Sequence, residues 1–333
     1  MTSRERYRRV LEGLPVDFLP RIPILMHFAA EYLGSDYGAF ASDYRVLVEA
    51  NVKCARDFGI DQLSCISDPY RETQGFGSKI EYLKDGVPRS SHPLREKKDF
   101  GLLLRPDSLQ SERMFDRIKA VRRYREQYGN EYSILGWIEG PAAEAADLRD
   151  VECFCVDLLD DEKYACDLMD LCVEVGIQFA EAQIQAGADT IGIGEAIASQ
   201  VSPSTYESNI FPREKKLIDS IHRLGAYCRL HICGDITHLL PAISDLGVDI
   251  IDVDHMVDCS KVREIVGGGV TIAGNIDPVS DVLHGTAESI GTSFRTIYET
   301  VGNPYMVSAG CEIPFGTPKE NLMALCSPIP YRK

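Results

Sequence analysis

Apolar residues in this chain follow two alternating rhythms. Short runs rich in Ile, Val and Leu are separated by longer stretches with helical spacing. The short runs are Arg21–Met26 (RIPILM), Gln62–Ser67 (QLSCIS), Tyr132–Gly140 (YSILGWIEG), Asp189–Ala196 (DTIGIGEA), Tyr227–Cys233 (YCRLHIC), Asp249–Asp254 (DIIDVD), Val270–Ile276 (VTIAGNI) and Tyr305–Cys311 (YMVSAGC). Helical spacing covers Met1–Gly13, Ser42–Phe58, Phe115–Tyr128, Asp161–Ala186, Pro212–Leu224, Ile236–Leu246, a stretch from Ser260, Ile290–Val301 and Thr317–Leu325. One segment breaks the rhythm. Gly75–Pro93 alternates around Asp85-Gly86 and reads as an antiparallel hairpin.

Apolar strands alternating with helices pair in parallel. Eight of them are the number that closes an α/β fold of the (β/α)8 TIM-barrel type. The alternative is an open doubly wound sheet, but no Gly-rich dinucleotide fingerprint follows the first strand. No linker or repeat divides the chain, so 1–333 reads as one barrel domain with a small hairpin inserted around 75–93.

Composition narrows the partners. The 333 residues are 44% hydrophobic, enough for a large core, and carry a net charge of −16. That charge, with no long basic block, argues against nucleic acid and anionic membranes. The cluster Arg117, Lys119, Arg122, Arg123 and Arg125 reads as a solvated helix face. No run approaches the ~18 apolar residues of a membrane span, and the charged start MTSRERYRRVLEG lacks the apolar region of a signal peptide. Eleven irregularly spaced cysteines fit a reduced, cytoplasmic protein better than a disulfide framework.

The chemistry gathers at strand ends. His231 and Cys233 sit two apart in a strand, so an imidazole and a thiol point the same way. Cys311 ends the eighth strand, and Asp252, Asp254 and His255 end the sixth. In a barrel, the C-terminal strand ends share one face. A His with two Cys and a further donor or open position is a catalytic zinc pattern. From spacing alone, the three residues read equally well as a metal site or as core side chains. The other cysteines, Cys153 and Cys155 included, read as structural, and Cys228 is in the opposite register to Cys233.

The same residues carry a resemblance. LHICGD, AGNIDP (Ala273–Pro278) and SAGCEIPFGTPKENL (Ser308–Leu322) resemble the uroporphyrinogen decarboxylase superfamily. They resemble most its zinc-dependent, cobalamin-linked methyltransferase branch. RERYRRVLEG, the turn Gly136–Pro141 and SPSTYESNIFP (Ser202–Pro212) extend the likeness over nearly the whole chain. It implies the eight-stranded barrel, with zinc held by His231, Cys233 and Cys311, and Asp254 as fourth ligand with His255 as competitor. Asp68 matches the catalytic Asp of the decarboxylase branch. That branch's Arg-rich segment after the first strand is missing, since the region reads MHFAAEYLG.

The resemblance further implies methyl transfer between a corrinoid and a small donor or acceptor, such as a thiol activated on zinc. Methylcobalamin would be a co-substrate, free or on a separate corrinoid protein, because no DxHxxG-type cobalamin motif is present. Glu195 and Ser199, after the fourth strand, and Asn275, after the seventh, are further pocket candidates. Glu195 is open to two roles, proton carrier or hydrogen-bond anchor. Two other readings stand beside this one: a metal-free decarboxylase of the uroporphyrinogen type, and a non-catalytic barrel that binds a corrinoid protein.

Overall fold

The structure is a computed structural model that describes residues 1–332. Its strands are β1 (Gln62–Ser64), β2 (Ile80–Leu83), β3 (Gly86–Ser90), β4 (Ser133–Glu139), β5 (Thr190–Gly194), β6 (Tyr227–His231), β7 (Ile250–Val253), β8 (Thr271–Gly274) and β9 (Tyr305–Met306). Seven of them form one parallel sheet in the order β1-β4-β5-β6-β7-β8-β9, and β2 and β3 form the expected antiparallel hairpin. The hairpin is tied to the helix Tyr37–Ser42, where Tyr37 N donates to Lys84 O over 2.9 Å.

The remaining gap is closed by residues 20–22. Arg21 bridges Val307 in parallel, Val307 N donates to Pro20 O over 2.8 Å, and Asp61 N donates to Arg21 O over 2.8 Å. The segment thus touches both edges of the sheet. The expected strand Arg21–Met26 survives only as this bridge. Pro20 and Pro23 have no N–H to give a ladder, and Met26 already opens a helix, Met26–Leu33. Other expected elements persist with shifted bounds. The helix expected over Ser42–Phe58 is Tyr44–Phe58, because Asp43 caps its start by accepting from Arg45 N over 2.8 Å and Ser42 ends the preceding helix. Pro141–Arg149 and Val151–Asp160 are helices that periodicity did not reveal.

The basic helix, Glu112–Tyr128, corrects one expectation. Arg117 is wholly buried and bonds Ala41 O and Asp116, so the cluster is not a uniformly solvated face. Arg125 turns inward to Gly187 O and Asp189.

Period two sorts the strand residues. Cys228, Leu230, Ile251 and Val253 pack outward with the helices, while Leu135 and Trp137 pack inside with Ile24 and Ile66. Gly192 makes room for the Trp137 indole, since a Cβ there would lie 2.2 Å from Cε3. The first helix, Ser3–Leu11, plugs the opposite end of the barrel. Its Tyr7 and Val10 pack on Ile22, Ile250 and Met306, and Tyr7 Oη lies 2.9 Å from Thr190 Oγ1.

Asp61 ties this plug to the closing segment. Its carboxylate accepts from Arg6 Nη1 over 2.5 Å and from Arg21 Nε and N over 2.9 Å each. Removing one partner of a buried charge network costs about 3 kcal/mol or more. Asp61→Asn should therefore lower unfolding free energy by roughly that amount in urea denaturation. A loss under about 1 kcal/mol would show the network to be dispensable.

Candidate metal centre

β6 delivers His231 to the C-terminal mouth, and Cys233 follows two residues later on the same side. Gly234 then reverses the chain at φ +92°, a conformation that favours glycine. Cys311 arrives from the loop after β9. His231 Nε2 lies 3.2 Å from Cys233 Sγ, the two sulfurs are 3.7 Å apart, and Cys311 Sγ is 3.7 Å from His231 Nε2. Among the described residues, these three form the group of donors close enough to share a metal ion.

The imidazole is held from behind. Asp252 Oδ2 is 3.3 Å from His231 Nδ1. Arg229 Nε reaches both Asp252 oxygens, at 2.9 and 2.8 Å, and its Nη1 donates to Gln62 Oε1 over 2.9 Å. A carboxylate beside Nδ1 favours the tautomer that leaves Nε2 as donor atom, the usual support of a metal-binding histidine. Among the three side chains themselves, protons are shared unevenly. The Cys233 hydrogen bond, then that of His231, pulls the Cys311 thiol down to about 4 despite burial. The same bond to Cys311, with burial, raises Cys233. Burial opposes a charged His231, but the neighbouring Cys233 and Asp252 raise it. The trio thus gathers negative charge on Cys311 and shares its protons between Cys233 and His231, protons that a bound cation would displace.

Asp254, expected as a fourth ligand, is not brought into this group. Its Oδ2 accepts from Gly234 N over 2.9 Å and its Oδ1 from Met256 N over 3.1 Å. It pins the two turns that frame the site. His255 sits beside it, Nδ1 to Asp254 Oδ1 at 2.8 Å, and faces Asp277 rather than the sulfurs.

A cavity of about 180 Å³ opens over the trio, with Ile24, Met26, Ile66 and Trp137 on its apolar wall. Asp68 reaches it. Burial would raise this carboxyl, but Arg113 and Arg71 outweigh burial and hold it down at about 2, so it stays ionised. Glu195 also lines the cavity, yet both its oxygens are engaged: Oε2 accepts from Ala142 N over 3.0 Å and Oε1 from Ala143 N over 2.7 Å. These amides open the helix Pro141–Arg149, so the arrangement is that of an anchor. Ser199 is outside the cavity lining, half-buried, with Oγ donating to Ala196 O. Asn275 is in a separate groove, where Nδ2 donates to Asp254 O over 3.1 Å and Val257 O over 2.6 Å.

Two cavity carboxylates escaped the sequence reading. Glu139 ends β4 in register with Trp137, and Glu312 follows Cys311. Glu139 Oε1 accepts from Arg71 Nη2 over 2.5 Å and from Trp137 Nε1 over 3.2 Å. Glu312 Oε1 accepts from His27 N over 2.8 Å. Period two from Trp137 was the available signal for Glu139. The anchoring of Glu195 has a consequence. Glu195→Gln keeps size but offers one acceptor for two amides, so urea unfolding should show a loss of about 1–3 kcal/mol. Unchanged stability would contradict the anchor.

Comparisons with known proteins give the family and the fold. The family model described as "Uroporphyrinogen decarboxylase (URO-D)" matches residues 2–329. A methylcobamide:CoM methyltransferase (MtbA) of Methanosarcina mazei is 29% identical, covering 97% of this chain and 96% of its own. One from Methanosarcina barkeri (MtaA) is 27% identical over the same shares. A uroporphyrinogen decarboxylase of Microcystis aeruginosa is 23% identical, again covering 97% and 96%. A solved structure of a methyltransferase from Methanosarcina mazei superposes with TM-score 0.89 at 24% identity, covering 98% of this chain and 97% of that one. With its barrel and nearly its whole length matched, the chain belongs to the uroporphyrinogen decarboxylase family.

Proposed function

We propose that this protein is a zinc-dependent methyltransferase that moves a methyl group between a corrinoid and a small molecule, with His231, Cys233 and Cys311 as zinc ligands. The mutual spacing of those three donors carries the reading. With Zn–S of about 2.3 Å and Zn–N of about 2.0–2.1 Å, the edges of a tetrahedral shell are about 3.5–3.8 Å. The observed edges are 3.2, 3.7 and 3.7 Å. Two soft sulfurs and an imidazole suit zinc, and three protein ligands leave one position open, as catalytic zinc sites do. The names of the full-length relatives, methylcobamide:CoM methyltransferases, support the same reaction class.

Zinc held there would supply Lewis acidity and favour the deprotonated form of a thiol bound at the open position. The chain's own residues do the rest. Asp252 and Arg229 orient His231. Trp137, Ile24, Met26 and Ile66 keep water from the sulfurs and lower the local dielectric. Asp68, ionised and pinned by Arg113 and Ser67 Oγ, is a fixed polar contact for substrate. Glu139, pushed up to about 8 by burial in spite of Arg71, can hold or release a proton near neutral pH.

The corrinoid would come from free methylcobalamin or a separate corrinoid protein at the barrel mouth. Met256, Val279 and Phe315, which follow β7, β8 and β9, are large apolar side chains left exposed there. A cytoplasmic setting fits eleven free cysteines, and no described helix is long and apolar enough to cross a membrane. A metal-free decarboxylation of a polyanionic tetrapyrrole is served less well, because the cavity is lined by carboxylates with no Arg or Lys among them.

Metal analysis tests the ligand set. Wild-type protein should hold about one zinc per chain, and Cys233→Ala and Cys311→Ala should lose most of it. Asp252→Asn should weaken zinc by about 10–100-fold, whereas Asp254→Ala should retain it. Retained zinc in either cysteine variant would end the proposal. So would the absence of methylcobalamin consumption by the zinc-loaded protein with every thiol offered.

A further inference from the structure

The charge balance of the cavity restricts what can enter it. The deep end is self-neutralising. Two sulfur donors offset a divalent cation, and Arg229 offsets Asp252. The wall is not. Asp68, Glu139, Glu195 and Glu312 all line the cavity. The cations nearest to them are already committed: Arg113 to Asp68, and Arg71 to Glu139 and Glu72. Both guanidinium groups are essentially fully buried. Asp68 and Glu195 are further satisfied by Ser67 and by the helix amides.

Two oxygens are left. Glu139 and Glu312 each place only Oε1 on protein donors, and among the described residues no hydrogen bond reaches Oε2 of either. Glu139 Oε2 lies close to the bare Cα of Gly194, where a Cβ would come within 2.9 Å of it. Gly194 is itself a cavity residue. The Trp137 indole supplies an aromatic wall to the same cavity and donates to Glu139 Oε1. Carboxylate oxygens with no protein donor, beside an indole, make a receptor for an organic cation. They repel a sulfonate or carboxylate, for which no exposed cation is provided.

We infer that the small molecule exchanging its methyl group here carries a positive charge, as an ammonium group seated between Glu139 and Glu312 against Trp137. This rests on the methyl-transfer reading only in taking the cavity as the substrate site. It sets the chain's substrate class apart from anionic thiols such as coenzyme M. Burial raises the Glu139 carboxyl to about 8 in spite of Arg71, which is shared with Glu72, so a second cation at Oε2 would draw it into the ionised form.

The chain has a single tryptophan, Trp137, in the cavity wall, so its fluorescence reports occupancy without turnover. Zinc-loaded protein should be titrated with choline, with its neutral isostere dimethylbutanol and with anionic dimethylbutyrate. Choline should bind at least about tenfold more tightly than dimethylbutanol, with the anion weakest. Glu139→Gln and Glu312→Gln should each erase most of that preference while dimethylbutanol binding, the control for an intact cavity, stays unchanged. Dimethylbutyrate binding as tightly as choline, or a preference that survives both substitutions, would overturn the inference. Methylcobalamin consumption with cysteamine, mercaptoethanol and mercaptoethanesulfonate runs in parallel. Consumption fastest with the sulfonate overturns the charge assignment alone. No consumption with any thiol overturns the transferase reading, and leaves the fluorescence result to decide the cation site.

Discussion

The pairing of Arg229 with Asp252 is the interaction on which this structure turns. Both are inside the barrel, 1% and 4% exposed, where an unpaired charge would cost several kcal/mol. The register of β6 on β7 places His231 opposite Asp252, and Arg229 two residues earlier on the same face. The guanidinium takes both carboxylate oxygens, Gln62 Oε1 and Ile22 O, so it joins β6 to β7, β1 and the closing segment. The same carboxylate is the one that faces His231 Nδ1. Barrel closure and imidazole orientation are therefore one event. A shift in either strand register by one residue would point His231 at the helices and strand Arg229 in the outer apolar layer.

Much of this was legible in the residues. The alternation of apolar strands and helices announced a parallel barrel, and the two-residue spacing of His231 and Cys233 put both on one face. Distance between Cys233 and Cys311 in sequence did not matter, because the fold collects strand ends. The failures have physical causes. RIPILM has a strand's hydrophobicity but lacks N–H groups at Pro20 and Pro23, so it closes the barrel by a bridge alone. In IDVDH, Asp252 and Asp254 share a face by period two, and composition does not rank them. β7 ends at Val253, so Asp252 keeps its place beside His231 while Asp254 swings to the Gly234 amide. Arg117 looked solvated because helical periodicity says nothing of the carbonyl at Ala41 that buries it.

Glu139 shows a different limit. It is the last residue of β4, a position that is usually wet. Its burial is imposed by Arg71, on the short helix Arg71–Gly75, and by the Trp137 indole, which Gly192 allows to lie flat against the sheet. None of those three neighbours is near Glu139 in period or motif except Trp137. The carboxylate-rich wall is therefore a tertiary product, assembled from four strand ends whose individual residues are unremarkable.

That wall explains how a largely apolar cavity can still be selective. The metal-competent trio and the Arg229–Asp252 pair cancel their own charge, so they add little field at the mouth. What an entering molecule meets is a set of carboxyl groups whose arginines are already spent, of which Glu139, raised by burial, ionises when a cation arrives. The −16 charge of the whole chain works in the same direction at long range, though salt screens it beyond about 10 Å. Selection by charge thus falls to Glu139 and Glu312, one held by β4 and the other by the loop that carries Cys311. The proposed metal ligand Cys311 and the proposed substrate-reading Glu312 are neighbours in the chain, so any movement of that loop alters both.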